Sequence, residues 1–139
     1  MKKYFVLLFV LLFLDQLIKV LVVNPVRNFG IFLGFWNPPG RFLLILWCLF
    51  IFMLCVFFVF IRHLRWPAIF MLAGISSQLV DRVRWEYGID FFSFYFFPNV
   101  SFNFADVYIL FGGVAMIFTL ILKEKEAGLF SGRKLFKRG

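Results

Sequence analysis

Residues 4–23 read YFVLLFVLLFLDQLIKVLVV, twenty positions that are apolar or aromatic except for Asp15, Gln16 and Lys19. A helix rises about 1.5 Å per residue and the hydrocarbon core of a bilayer is about 30 Å thick, so this run is long enough to cross it. The opening Met-Lys-Lys before an apolar stretch has the look of a secretory signal peptide. The length of the run, its three polar residues and the lack of a small-x-small cleavage site after it point instead to a retained span.

Three further runs follow. Residues 42–61 carry no charge and end on Arg62-His63-Leu64-Arg65, a basic turn. Residues 67–83 begin at Pro67, which a first helical turn tolerates, and grow polar toward Asp81 and Arg82. Residues 103–122 precede a basic tail, 123–139. The chain therefore reads as one all-α membrane domain, residues 1–139, of four transmembrane helices. Lys and Arg collect at one side of these spans (Lys2, Lys3, Arg62, Arg65, Lys123, Lys125 and the tail), against Arg27, Arg41 and Arg84 at the other. Positive flanks stay in the cytoplasm, so both termini are expected there.

Composition agrees. Of 139 residues, 63% are hydrophobic, 23% aromatic and 16% charged, with a mean hydropathy of +0.95, far from soluble usage. The net charge of +8 sits at span ends, where topology accounts for it without nucleic acid. Cys48 and Cys55 lie seven apart in one run, sharing a face of a helix, and cannot bridge each other. Residues 24–41, with Gly30, Gly34 and Asn-Pro steps, predict a small strand-like element in the first outer loop. The second outer loop, 84–102, is crowded with aromatic rings and is expected to dip into the membrane surface.

An ionisable group in a span costs roughly 2.5–3.5 kcal/mol on insertion scales, so each needs a partner or a purpose. Asp15 and Lys19 stand four apart on one helix face, and Asp15 lies ~12 Å from the end of its run at Val23. Asp81, Asp90 and Asp106 fall at the same end of their segments, which the charge count assigns to the outer leaflet. Asp15 with Lys19, and Asp81 with Arg82 or Arg84, read as structural ion pairs. Asp90 in Gly88-Ile89-Asp90-Phe91-Phe92 and Asp106 in Phe102-Asn103-Phe104-Ala105-Asp106 have no cation nearby in sequence, which makes them the better catalytic candidates. Burial and a helix N-terminus act on a carboxyl group in opposite senses, so two such acids can titrate apart and divide the work of acid and base. Aspartic peptidase chemistry, purely structural acids and an ion or proton path all remain open on these residues. Other hydrolytic chemistries lack parts: His63 reads as a basic flank, and Ser76 and Ser77 have no Lys or His in register.

Taken in order, Asp15-Gln16-Leu17-Ile18-Lys19, Asn28-Phe29-Gly30, Ala73-Gly74 through Asp81-Arg82, Gly88-Ile89-Asp90-Phe91 and Asn103-Phe104-Ala105-Asp106 form a series that resembles the lipoprotein signal peptidase family, signal peptidase II. The resemblance implies catalytic aspartates at Asp90 and Asp106, substrate-positioning polar groups at Asn28, Gln78, Arg82 and Asn103, and scaffold at Asp15, Lys19 and Asp81. Ser77-Gln78 stands where the family usually has Gly-Asn, and Ile31-Phe32-Leu33 departs from the family's Ala-Phe. The implied activity is cleavage of prolipoproteins before a diacylglyceryl-modified cysteine, at the outer leaflet of a bacterial inner membrane, without metal or organic cofactor, by a monomer whose partners are that substrate and membrane lipid. Two alternatives stand beside it: a small ion- or proton-coupled transporter using Asp15, Asp81 and Asp106, and a degenerate family member that binds precursors without cutting them.

Overall fold

The two buried side chains of the first helix are both charged. In α1, Lys2–Leu21, only Asp15 and Lys19 are buried, while Phe5, Phe9, Phe13 and Val20 are exposed. This inverts the pattern of a helix in water and suits one in lipid, where polar groups turn inward to find partners. The computed structural model describes residues 2–29, 41–94 and 96–136. After α1 come β1, Val26–Asn28; α2, Arg41–Phe60; a 3-10 turn, Arg62–Leu64; α3, Arg65–Trp85; the strands β2, Gly88–Asp90, β3, Phe92–Phe94, and β4, Phe97–Phe102; and α4, Phe104–Phe136.

Helix α3 is the centre of the bundle and packs against α1, α2 and α4. Its buried residues change character along its length, from Ala68, Ile69 and Leu72 to Ser77, Gln78, Asp81 and Arg82. The apolar core therefore sits at one end, where Cys55, Ile69, Leu72 and Ile75 pack together. At the other end a polar network lies beneath the strands. Both cysteines are buried and free.

By length and composition, Lys2–Leu21 and Phe104–Glu126 can each cross a membrane; Cys48–Phe60 and Arg62–Trp85, bent by 119°, add a third crossing if taken as one broken span. Ile61 makes the break, with extended φ −82° and ψ 109°, and Arg65 Nε donates to Val59 O (3.1 Å) to satisfy a carbonyl at the end of α2. Helix α4 runs past residue 122 through Lys123-Glu124-Lys125-Glu126, good helix formers with an exposed Lys123–Glu126 pair at 2.7 Å.

The strand-like element of the first loop is β1, and its partner lies in the second. β1 and β2 pair antiparallel, with Val26 opposite Asp90 and Asn28 opposite Gly88. The aromatic loop also holds a second two-stranded sheet, β3 with β4, in which Phe92 faces Phe102 and Ser93 faces Ser101. Gly30, Gly34 and Ile31-Phe32-Leu33 lie outside the described residues.

Close approach of α3 and α4 needs glycine at two points. A Cβ on Gly74 would collide with Ala105 O, and one on Gly112 would fall 2.6 Å from Pro67 O. Gly113 has open space beside it. Gly112→Ala is therefore expected to lower the thermal midpoint in detergent by an overpacking cost of about 1–3 kcal/mol, with Gly113→Ala neutral or stabilising. Equal midpoints for the two variants would contradict the close crossing.

Candidate active site

Asn103 is the residue from which the site is built. It stands one residue before α4 and its Oδ1 accepts from Asp106 N (3.1 Å), while Asp106 Oδ2 accepts from Asn103 N (3.0 Å). This is a reciprocal capping box, which satisfies two helix-terminal donors at once. With its Oδ1 committed, the carboxamide must present Nδ2 the other way, and that nitrogen donates to Asp90 Oδ1 (2.8 Å) and Ile89 O (3.1 Å). One side chain thus ties the two candidate acids together.

Asp90 ends β2 and is fully buried. Its Oδ2 accepts from Asn28 Nδ2 (2.8 Å) on β1 and from Ser101 Oγ (2.7 Å) on β4. Asp106 is half-buried, and its Oδ1 accepts from Gln78 Nε2 (2.9 Å). Gln78 Oε1 in turn accepts from Arg82 Nη1, one helical turn on, which fixes the amide so that its NH2 faces Asp106. Gly88 makes room here, since a Cβ on it would lie 3.3 Å from Gln78 Oε1. Among the described residues no Lys or Arg nitrogen lies within ion-pair distance of either acid.

Behind this site is a second cluster. Lys19 Nζ pairs with Asp15 Oδ2 (2.5 Å) and Asp81 Oδ2 (2.7 Å) and donates to Ser77 Oγ (3.3 Å). Ser77 Oγ donates to Asp15 Oδ2. Gln16 Nε2 reaches Ser77 Oγ (2.7 Å) and Asp81 Oδ1 (2.9 Å). The remaining carboxylate contacts go to backbone: Ala105 N donates to Asp15 Oδ1 (3.1 Å) and Ile89 N to Asp81 Oδ2 (3.4 Å). Ala105 immediately precedes Asp106, and Ile89 immediately precedes Asp90.

Sequence reasoning grouped Asp90, Asp106, Asn28, Gln78, Arg82 and Asn103, and the structure brings all six together. Asn28, Gln78 and Asn103 sit on the two carboxylates themselves. Asp15 and Lys19 pair as expected. The expected pairing of Asp81 with Arg82 or Arg84 is corrected: Asp81 meets Lys19, Arg82 turns to Gln78, and Arg84 lies over the Trp85 ring (5.0 Å). Successive helical residues point about 100° apart, so neighbours in sequence reach different partners. The reading that Ser77 lacks a lysine is also corrected, because Lys19 arrives from α1. Ser77 is fully buried with its proton directed at Asp15, which makes it part of the network and a poor nucleophile. Ser101 was missed, although a signal existed: strand alternation puts it on the same face as Asn103, two residues on. No group of three or more His, Cys, Asp or Glu side chains converges as metal ligands would among the described residues.

A family model described as signal peptidase (SPase) II matches residues 7–122. The lipoprotein signal peptidase of Caldanaerobacter subterraneus subsp. tengcongensis is 43% identical over 53 residues, covering 38% of this chain and 36% of that protein. The lipoprotein signal peptidase of Moorella thermoacetica is 37% identical over 65 residues, covering 47% of this chain and 42% of its own length. Each match thus spans less than half of the curated relative. A solved structure of a bacterial membrane enzyme superposes with a TM-score of 0.77 at 18% identity, covering 91% of this chain and 92% of that one, a likeness of fold.

Proposed function

The chain belongs to the signal peptidase II family, and on that premise we propose that it is a membrane aspartic endopeptidase. It removes signal peptides from prolipoproteins by cutting before a diacylglyceryl-modified cysteine. The observation that carries this reading is the pair of uncompensated carboxylates, Asp90 and Asp106, held against one another through Asn103. Acids kept only for structure are expected to find a cation, as Asp15 and Asp81 do in Lys19.

In this reading one acid carries a proton and polarises the scissile carbonyl, while the ionised partner takes a proton from the attacking water. Asp106, half-buried in the first turn of α4, is the acid that meets the carbonyl. Asn28 and Gln78 hold the carboxylates in place and, with Asn103 and Arg82, shape the space a peptide enters. The four helices act as four spans, with both termini in the cytoplasm and the site at the outer leaflet of a bacterial inner membrane. A lipid-tethered peptide bond arrives at that leaflet. The aromatic strands over the site limit water to the molecule that reacts. The 139 residues work as one membrane domain, and as a monomer.

The test is turnover by the purified full chain in detergent. A precursor carrying diacylglyceryl-cysteine is expected to yield a shortened lipoprotein and free signal peptide, and the same precursor without the lipid to remain intact. Stoichiometric binding without product would favour a non-cleaving member. A current across vesicles containing the chain would favour a transporter.

A further inference from the structure

Asp90 has three hydrogen-bond partners, and they differ in what they can do. Asn103 is locked, because Asp106 N occupies its Oδ1 and leaves only Nδ2 for Asp90. Asn28 also meets Asp90 through an amide nitrogen, which donates and cannot accept. The third partner is the Ser101 hydroxyl, 2.7 Å from Oδ2. A hydroxyl has one proton to give and lone pairs to receive one, and its proton turns to suit. Ser101 is 7% exposed, so little water competes for that bond. Two amide donors and a hydroxyl free to donate suit the role given to Asp90 in the reading above, that of the acid which takes the water proton. Asp106, with one donor on each oxygen, has lone pairs left and partial access.

We propose that Ser101 is a positioning residue for the reaction: its hydroxyl keeps Asp90 in one orientation both before and after that acid takes the proton of the attacking water. The proposal rests on the peptidase reading above. In the step it serves, the water oxygen bonds to the scissile carbonyl carbon and one water proton passes to Asp90. The proton of Asp106 passes to the carbonyl oxygen, which has received the electron pair of the C=O π bond. Asp90 then carries an O–H. Should that O–H lie on Oδ2, two amide nitrogens have nothing with which to receive it, whereas Ser101 Oγ turns and accepts. Should it lie on Oδ1, Ser101 continues to donate to Oδ2. The charged and titratable groups near Asp90 are Asp106 on α4, Arg82 and Asp81 on α3, Lys19 on α1 through its pair with Asp81, and Arg27 on β1, which stacks over Tyr87 (5.3 Å). Among the described residues none of them is hydrogen-bonded to Asp90 Oδ2, where Asn28 can only donate, so the role falls to Ser101.

The experiment is steady-state cleavage of the diacylglyceryl precursor by the full chain, Ser101→Ala and Ser101→Thr, with thermal midpoints measured alongside. Ser101→Ala is expected to lower kcat about tenfold, the scale of a hydrogen bond to a charged group, with KM within about twofold of the parent. Ser101→Thr, which keeps the hydroxyl, is expected to recover most of that loss. An unchanged kcat in Ser101→Ala overturns the proposal. So do equal losses in both variants with lowered midpoints, which would mark Ser101 as packing alone. Failure of the parent chain to cut at all would sink the peptidase reading, and this inference with it; failure confined to the Ser101 series leaves that reading standing.

Discussion

Asp90→Asn and Asp106→Asn are each expected to slow signal-peptide release by about 10²–10⁴-fold, the range in which a positioned acid or base acts. Asparagine matches the size of aspartate and cannot take up or release the proton, so the comparison isolates proton chemistry. The surroundings predict a secondary effect that differs between the sites. At position 90 the new NH2 must face one of two amide donors, Asn28 Nδ2 or Asn103 Nδ2, while the Ser101 hydroxyl can turn to accept. At position 106 it must face either Gln78 Nε2, held by Arg82, or Asn103 N. Each mismatch leaves buried donors unsatisfied, at about 1–3 kcal/mol, so both variants should melt earlier but still insert and fold. Single-turnover cleavage, with insertion and melting followed in the same preparations, reads both effects. Substantial processing by either variant would end the aspartic assignment.

The largest expected loss of stability comes from Lys19→Met. Methionine fills nearly the same length of space, but it removes a cation that pairs with two buried carboxylates. Breaking a buried pair by removing one partner costs about 3–5 kcal/mol. Here two acids are left facing each other. The cost should fall largely on the charges, so the triple variant with Asp15→Asn and Asp81→Asn is expected to regain much of the midpoint. Chemical or thermal unfolding in detergent decides. A Lys19→Met protein as stable as its parent would mean that the cluster is not held by charge.

The helices were legible because their lengths and apolar runs are local properties, and lipid as solvent leaves few alternatives to a helix. The polar positions were legible as expensive residues. Their partners were not. Lys19 and Asp81 lie 62 residues apart, and which face of α3 meets α1 depends on packing that no short window contains. The β1–β2 pairing likewise joins Asn28 to Gly88 across two intervening helices, so the first loop showed a strand without showing its mate. Ser77 could be read only as a departure from the usual Gly, since its use as a junction for Asp15, Gln16 and Lys19 exists only in three dimensions.

The cluster behind the site also settles where dimensional accuracy resides in this molecule. Asp15 grips the amide before Asp106 and Asp81 grips the amide before Asp90, with a single ammonium between the two grips. The gap between the acids is therefore gauged by a caliper whose jaws are carboxylates and whose hinge pin is Lys19. A change at the pin would therefore be felt at both acids at once.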